Sequence, residues 1–134
     1  MDMADKIAFD LVSPEKLLLS GEAAMITLPG TEGEFGVLPG HAPVISTLKP
    51  GIIDVKGAQG GDTRFFVMGG FAEVNPEKLT VLAEEAIPMA EINAEALDRR
   101  IRNVQEDIVT AKSEAARAKA VEVLDSLQIL RASL

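Results

Sequence analysis

The sequence predicts a mainly β domain followed by helices: an antiparallel β-sandwich over residues 1–88, then an antiparallel helical hairpin over residues 89–134. Three observations carry that prediction. All seven prolines lie at or before Pro88, all eleven glycines end at Gly70, and all five phenylalanines end at Phe71. Gly and Pro punctuate turns and are costly inside helices, so the first part reads as strands and turns. Apolar residues there come in short runs closed by turn signals, whereas beyond Pro88 they recur at steps of three and four.

The strands follow in order. Ile7, Phe9 and Leu11 alternate with Ala8, Asp10 and Val12. Residues 17–19 and 23–28 come next, separated by Ser20-Gly21-Glu22, and then 37–38 and 44–48 around Pro-Gly turns. The runs 52–55, 64–68, 71–74 and 79–83 complete the series, with turn signals at 57–62, Gly69-Gly70 and Asn75-Pro76-Glu77. Parallel neighbours need crossovers of a dozen or more residues, for which there is no room, so an antiparallel sandwich is expected.

In the second part Leu97, Ile101, Val104, Ile108, Ala111 and Ala115 form one apolar series, and Ala116, Ala120, Val123, Leu127, Leu130 and Leu134 form another. The two differ by one residue in phase. One unbroken helix would turn its stripe by about 100° near Ala115. Two helices folded back on each other keep both stripes on a common face. A bend is expected near Lys112-Ser113, with Asn93 capping the first helix and Ser113 the second. Short helices gain most of their stability from tertiary packing. The stripe must bury itself on the sandwich, on another protein, or on each in turn. With no Gly or Pro to enforce the bend, a partner offering better burial could extend the pair.

Composition excludes much. The chain has 134 residues, 47% hydrophobic and 25% charged, which suits a globular domain with an appendage. Cysteine is absent and there is one histidine, His41, which excludes thiolate nucleophiles, iron–sulfur clusters and imidazole-rich metal sites. A net charge of −8 argues against nucleic acid as a partner and against a polybasic membrane anchor. No apolar run approaches the ~20 residues that span a bilayer. The opening Met1-Asp2-Met3-Ala4-Asp5-Lys6 has neither the apolar core of a signal peptide nor the basic bias of a transit peptide. A soluble protein of a reducing cytoplasm is the simplest expectation, with attachment beside a membrane through another protein left open. Residues 1–90 carry net −7 and residues 91–134 net −1, so the acidity belongs to the first part. It reads as a solvated surface or as a face for a basic partner.

Catalytic motifs are missing. The glycine-dense stretches at 30–36 and 57–61 lack a following lysine and helix, and read as hairpin turns. No Gly-x-Ser-x-Gly elbow occurs. His41, between Pro39 and Pro43, reads first as a structural hydrogen bonder in a loop and second as a protein contact. The cations Arg99, Arg100, Arg102, Arg117, Lys119 and Arg131 mix with carboxylates at helical spacing. They read as ordinary solvated pairs or as a face for an acidic partner.

Six segments, taken together, resemble a known family. They are Val12-Ser13-Pro14-Glu15, Ser20-Gly21-Glu22, the run from Glu32-Gly33-Glu34-Phe35-Gly36 through His41-Ala42-Pro43, Leu48-Lys49-Pro50-Gly51, Gly69-Gly70-Phe71-Ala72-Glu73-Val74 and Val81-Leu82-Ala83-Glu84-Glu85-Ala86. In this order they resemble the epsilon subunit of bacterial rotary ATP synthases, equivalent to the mitochondrial delta subunit. The resemblance implies a sandwich of about ten strands and a helical hairpin. It implies a non-catalytic rotor subunit without cofactor or metal. Such a subunit sits in the central stalk with the gamma subunit and the c-ring, peripheral to the cytoplasmic face of the bacterial inner membrane. By the same resemblance Glu32, Glu34, Phe35 and His41 are candidates for c-ring and gamma contact. Arg99, Arg100, Arg102, Arg117, Lys119 and Arg131 are candidates to meet acidic segments of the alpha and beta catalytic subunits when the hairpin extends and blocks hydrolysis. Some members bind ATP through a Leu/Ile-Asp-x-x-Arg-Ala signature. Here Leu97 and Asp98 match, but Ile101 and Arg102 stand where Arg and Ala belong, so only a remnant is present. The alternative from another class is a stand-alone β-sandwich binding module with a dimerising helical hairpin.

Overall fold

The computed structural model describes residues 6–134; nearly all of the opening segment read for a leader lies outside that range. Eight strands come first: β1 Ile7–Val12, β2 Leu17–Ala23, β3 Met25–Gly30, β4 Gly33–Val37, β5 Val44–Lys56, β6 Thr63–Val74, β7 Lys78–Ala83 and β8 Ala86–Pro88. A single 3-10 turn, Met89–Glu91, leads to α1 (Ala94–Thr110) and α2 (Glu114–Ala132). Two compact units result, the first ending at Ala90 and the second running Glu91–Leu134.

The strands pair in the order β2-β1-β7-β6-β5-β3-β4, with β8 on the lower half of β6. The long strands β5 and β6 run through both layers of the sandwich. The upper half of β6 joins β7, and through it β1 and β2, by the Val74↔Leu79 to Gly70↔Ala83 ladder; the lower half of β6 pairs β8, and β5 pairs β3, which carries β4. Counted by layer, these two strands each contribute twice. Pro50-Gly51 and Gly69-Gly70 have the composition of strand ends, yet the backbone of each strand continues through them.

At those same points the side chains change face. In β6, Phe65 and Val67 point into the core on the lower half, and Ala72 and Val74 do so on the upper half. The inward set therefore moves from odd to even positions. β5 makes the same change between Leu48 and Ile53. A strand alternates strictly with period two, so an inversion needs a local break in backbone geometry. Gly69 and Gly70 supply it at φ +104° and +144°, values that other residues rarely adopt.

One pairing departs from the antiparallel expectation. β1 lies parallel to β7 from Ala8↔Lys78 to Val12↔Leu82. The crossover argument applies to strands adjacent in sequence. Here five other strands intervene, and they carry the chain around both layers, so no connecting helix is needed.

Ile7, Phe9 and Leu11 of β1, Ile26 and Leu28 of β3, and Leu79, Val81 and Ala83 of β7 belong to one buried cluster with the inward residues of β5 and β6. Each large apolar side chain so buried contributes roughly 1.5–3 kcal/mol.

In the second unit α1 packs on α2. Leu97, Val104, Leu127 and Leu130 are buried, while Ala115, Ala116 and Leu134 of the expected stripes are exposed. The bend falls at Ala111–Ser113 and includes the expected Lys112-Ser113. Ala111 leaves helical geometry at ψ 135°. Asn93 and Ser113 are the N-caps, their side chains accepting from the backbone N–H groups of Ala96 and Ala116 at 2.9 and 3.0 Å.

Candidate functional site

The acidic candidates lie on the β3–β4 hairpin. Gly30 pairs with Gly33 across a two-residue turn of Thr31 and Glu32. The Thr31 N–H donates to the Thr47 carbonyl at 3.1 Å, tying the turn to β5. Glu32 and Glu34 are exposed, whereas Phe35 is half-buried and packs on the core. Alternation along β4 explains the difference: Glu34 and Gly36 face solvent, and Phe35 and Val37 face inward. A β-carbon on Gly30 would press on the Gly33 carbonyl oxygen at 2.7 Å and on the Phe35 ring at 2.9 Å. The bare glycine thus lets the ring fold over the hairpin. The tip offers two carboxylates on a braced turn, and Phe35 acts as the brace.

His41 is held elsewhere, in the loop between β4 and β5. Its N–H donates to the Leu38 carbonyl at 3.1 Å, and the neighbouring Gly40 N–H donates to Pro76 in the β6–β7 turn at 2.9 Å. The ring Nδ1 donates to the Ala42 carbonyl at 2.7 Å, since a carbonyl can only accept. Half-buried and hydrogen-bonded to its own loop, His41 fixes the course of residues 38–43.

A polar cluster that the sequence reading did not single out spans three strands. The Asp10 carboxylate on β1 accepts from Lys78 of β7 at 2.8 Å and from the Ser20 hydroxyl of β2 at 2.7 Å. The Lys78 ammonium, and after it the Ser20 hydroxyl, hold the Asp10 carboxyl below the usual aspartate range. The only signal in the sequence was one acid at an outward position of an alternating strand.

On the hairpin, Arg131 near the end of α2 donates from Nε to Asp98 Oδ1 of α1 at 2.9 Å. A candidate cation and the acid of the remnant signature therefore bind each other. Arg117 lies 3.9 Å from Glu114, one turn earlier on the same helix. Arg99, Arg102, Arg117 and Lys119 are exposed, and Arg100 and Leu97 are progressively more covered. Arg99, Arg100 and Arg102 follow Asp98 on α1 and so share that end of the hairpin with Arg131, whereas Arg117 and Lys119 lie near the start of α2.

A hollow of about 700 Å³ opens between β1–β2 and the β5–β6 turn, lined by Phe9, Leu19, Phe65, Gly60 and Gly61 among others. Lys6 at its rim donates to the Gly57 carbonyl at 2.6 Å. Among the described residues, no three His, Asp or Glu side chains gather where they could hold a metal ion. No helix among them is long and apolar enough to cross a membrane.

Comparison with known proteins places this architecture. A family model described as the beta-sandwich domain of the ATP synthase delta/epsilon chain matches residues 6–89. An "ATP synthase epsilon chain" of Parvibaculum lavamentivorans is 53% identical over 129 residues, covering 96% of this chain and 98% of that one. One of Maricaulis maris is 47% identical over 130 residues, covering 97% of each. In the cryo-EM structure of Euglena gracilis mitochondrial ATP synthase with OSCP, F1 and c-ring, a chain matches at TM-score 0.76 and 29% identity. The match covers 99% of this chain and 84% of that one. A chain of the Tetrahymena thermophila mitochondrial central stalk and c-ring shares the fold at TM-score 0.62 and 14% identity, over 95% of each. The family model spans the eight strands, and the relatives extend the likeness through both helices. The chain belongs to the ATP synthase delta/epsilon family.

Proposed function

We propose that this chain is the non-catalytic epsilon subunit of a bacterial proton-driven ATP synthase, turning with the central stalk. It couples c-ring rotation to ATP synthesis in the catalytic head and does so by being gripped rather than by reacting. Similarity to epsilon chains over nearly the full length of both proteins is the observation that carries the reading. In this reading the acidic tip, Glu32 and Glu34, meets basic polar loops of the c-ring, with Phe35 bracing the turn and His41 shaping the adjoining loop against gamma. The subunit is peripheral, reaching the cytoplasmic face of the inner membrane only through the complex.

The hairpin serves as a separable arm that restrains hydrolysis when it extends toward the alpha and beta subunits. Arg99, Arg100, Arg102, Arg117, Lys119 and Arg131 are its candidate contacts there. Asp98 is engaged by Arg131, which fits the incomplete nucleotide signature and a subunit that uses no cofactor.

Co-purification of the tagged chain with gamma, alpha and beta subunits from detergent-solubilised membranes tests the assignment. The expected result is a stoichiometric complex that retains ATP hydrolysis. Recovery of the chain alone, as a homodimer, would overturn it. Within the complex, E32Q/E34Q is expected to weaken retention on c-ring-bearing membranes with little change in thermal stability.

A further inference from the structure

We propose that the Asp98–Arg131 ion pair is a latch at the open end of the hairpin. It holds the two helices together and keeps Arg131 from a partner's carboxylates until they part. The inference rests on the reading of the hairpin as a separable arm and specifies what regulates it.

Position argues first. The pair joins residues 33 apart in sequence, at the end of the hairpin opposite the Ala111–Ser113 bend. There the helices are bound to each other by side chains alone, so an interaction at that end has the greatest leverage over separation. Asp98 and Arg131 flank Leu97 and Leu130, which are buried at 6% and 1% exposure. The pair therefore closes the rim of the best-buried part of the apolar seam.

Electrostatics argues second. Asp98 lies near the N-terminus of α1, and Arg131 lies in the last turn of α2. Arg131 stands where the dipole of α2 favours a cation, whereas Asp98, the fifth residue of α1, lies just past the first turn and is held by the ion pair itself. The two helix ends thus place opposite charges side by side, and Nε donates in good geometry at 2.9 Å. Both side chains remain partly exposed, at 44% and 42%. An exposed pair is worth little in an all-or-none unfolding equilibrium and is weakened by salt. In a local opening equilibrium of the hairpin, the same small energy changes the open-to-closed ratio by roughly two- to five-fold. A partner that offers Arg131 a carboxylate competes directly with Asp98, so engagement of the partner and release of the latch are one exchange.

A double-mutant cycle on the full chain tests this. D98N, R131Q and D98N/R131Q are compared with the parent by native-state hydrogen exchange at the amides of α1 and α2, in low and high salt. The expected result is a roughly two- to five-fold loss of protection in each single variant. The double variant should lose no more than either single, and the parent should approach the variants as salt rises. Protection unchanged in the single variants, or losses that simply add in the double, would overturn the latch. The measurement needs no other subunit. Co-purification of the same variants with gamma reports separately on the assignment to the rotor, so the two failures are distinct.

Discussion

Gly70 lies so close to the carbonyl oxygen of Leu82 that no β-carbon fits between them. It also holds φ +144° at the place where β6 changes the face it turns to the core. Steric exclusion and backbone strain therefore coincide at one residue. Gly70→Ala is expected to destabilise the β unit by more than about 2 kcal/mol. Gly60→Ala, where a β-carbon would meet open space, should be nearly neutral. Thermal melts of the two variants check the contrast.

The Asp10 cluster gives the fold an acid limb. Because the folded-state pKa is depressed, the interaction with Lys78 and Ser20 stabilises the native state fully above the ordinary aspartate value near 4. It is lost as pH falls through the depressed value. Asp10→Asn should lower the urea midpoint at pH 7, and the gap from the parent should close progressively below about pH 4. A gap that stays constant down to pH 2 would show that the carboxylate's charge is not what matters.

The helix caps predict a graded response. Ser113 accepts from Ala116 N–H, satisfying a donor that the first turn of α2 cannot pair. Ser113→Ala should cost about 1 kcal/mol and Ser113→Gly only a few tenths. Circular dichroism at 222 nm under urea resolves the order, and Asn93→Ala should behave like Ser113→Ala at the start of α1.

Removal of residues 91–134 should leave a folded β unit. Every strand pair and the whole buried β cluster lie before Ala90. Proton NMR of residues 1–90 should show dispersed amide and methyl signals, and the truncated chain should still co-purify with gamma. A collapsed, undispersed spectrum would show that the strands depend on the helices.

Much of this architecture was legible because it is local. The halt of Gly and Pro before the helices, the phase slip between the two apolar series, and the polar residues Asn93 and Ser113 each report on a few neighbouring positions. What stayed hidden depends on distant pairings. Pro50-Gly51 and Gly69-Gly70 have the chemistry of turns, and only the ladder between β5 and β6 shows that they redirect a strand rather than end it. The parallel β1–β7 match joins residues about seventy apart in sequence. At the candidate site, the two carboxylates of the β3–β4 tip were visible, but the inward turn of Phe35 follows from the register of β4 on β3. The partnership of Asp98 with Arg131 follows from the helices being antiparallel, and no spacing rule announces it.

The passage of β5 and β6 through both layers has a mechanical consequence. A sandwich whose layers met only through side chains could slide under a tangential load, since dispersion contacts are individually weak and reform after a small displacement. Here two unbroken backbones, hydrogen-bonded to each other from Val44↔Val74 to Val55↔Thr63, cross from one layer to the other. Shear on either layer pulls along covalent bonds, so the β unit moves as one solid body.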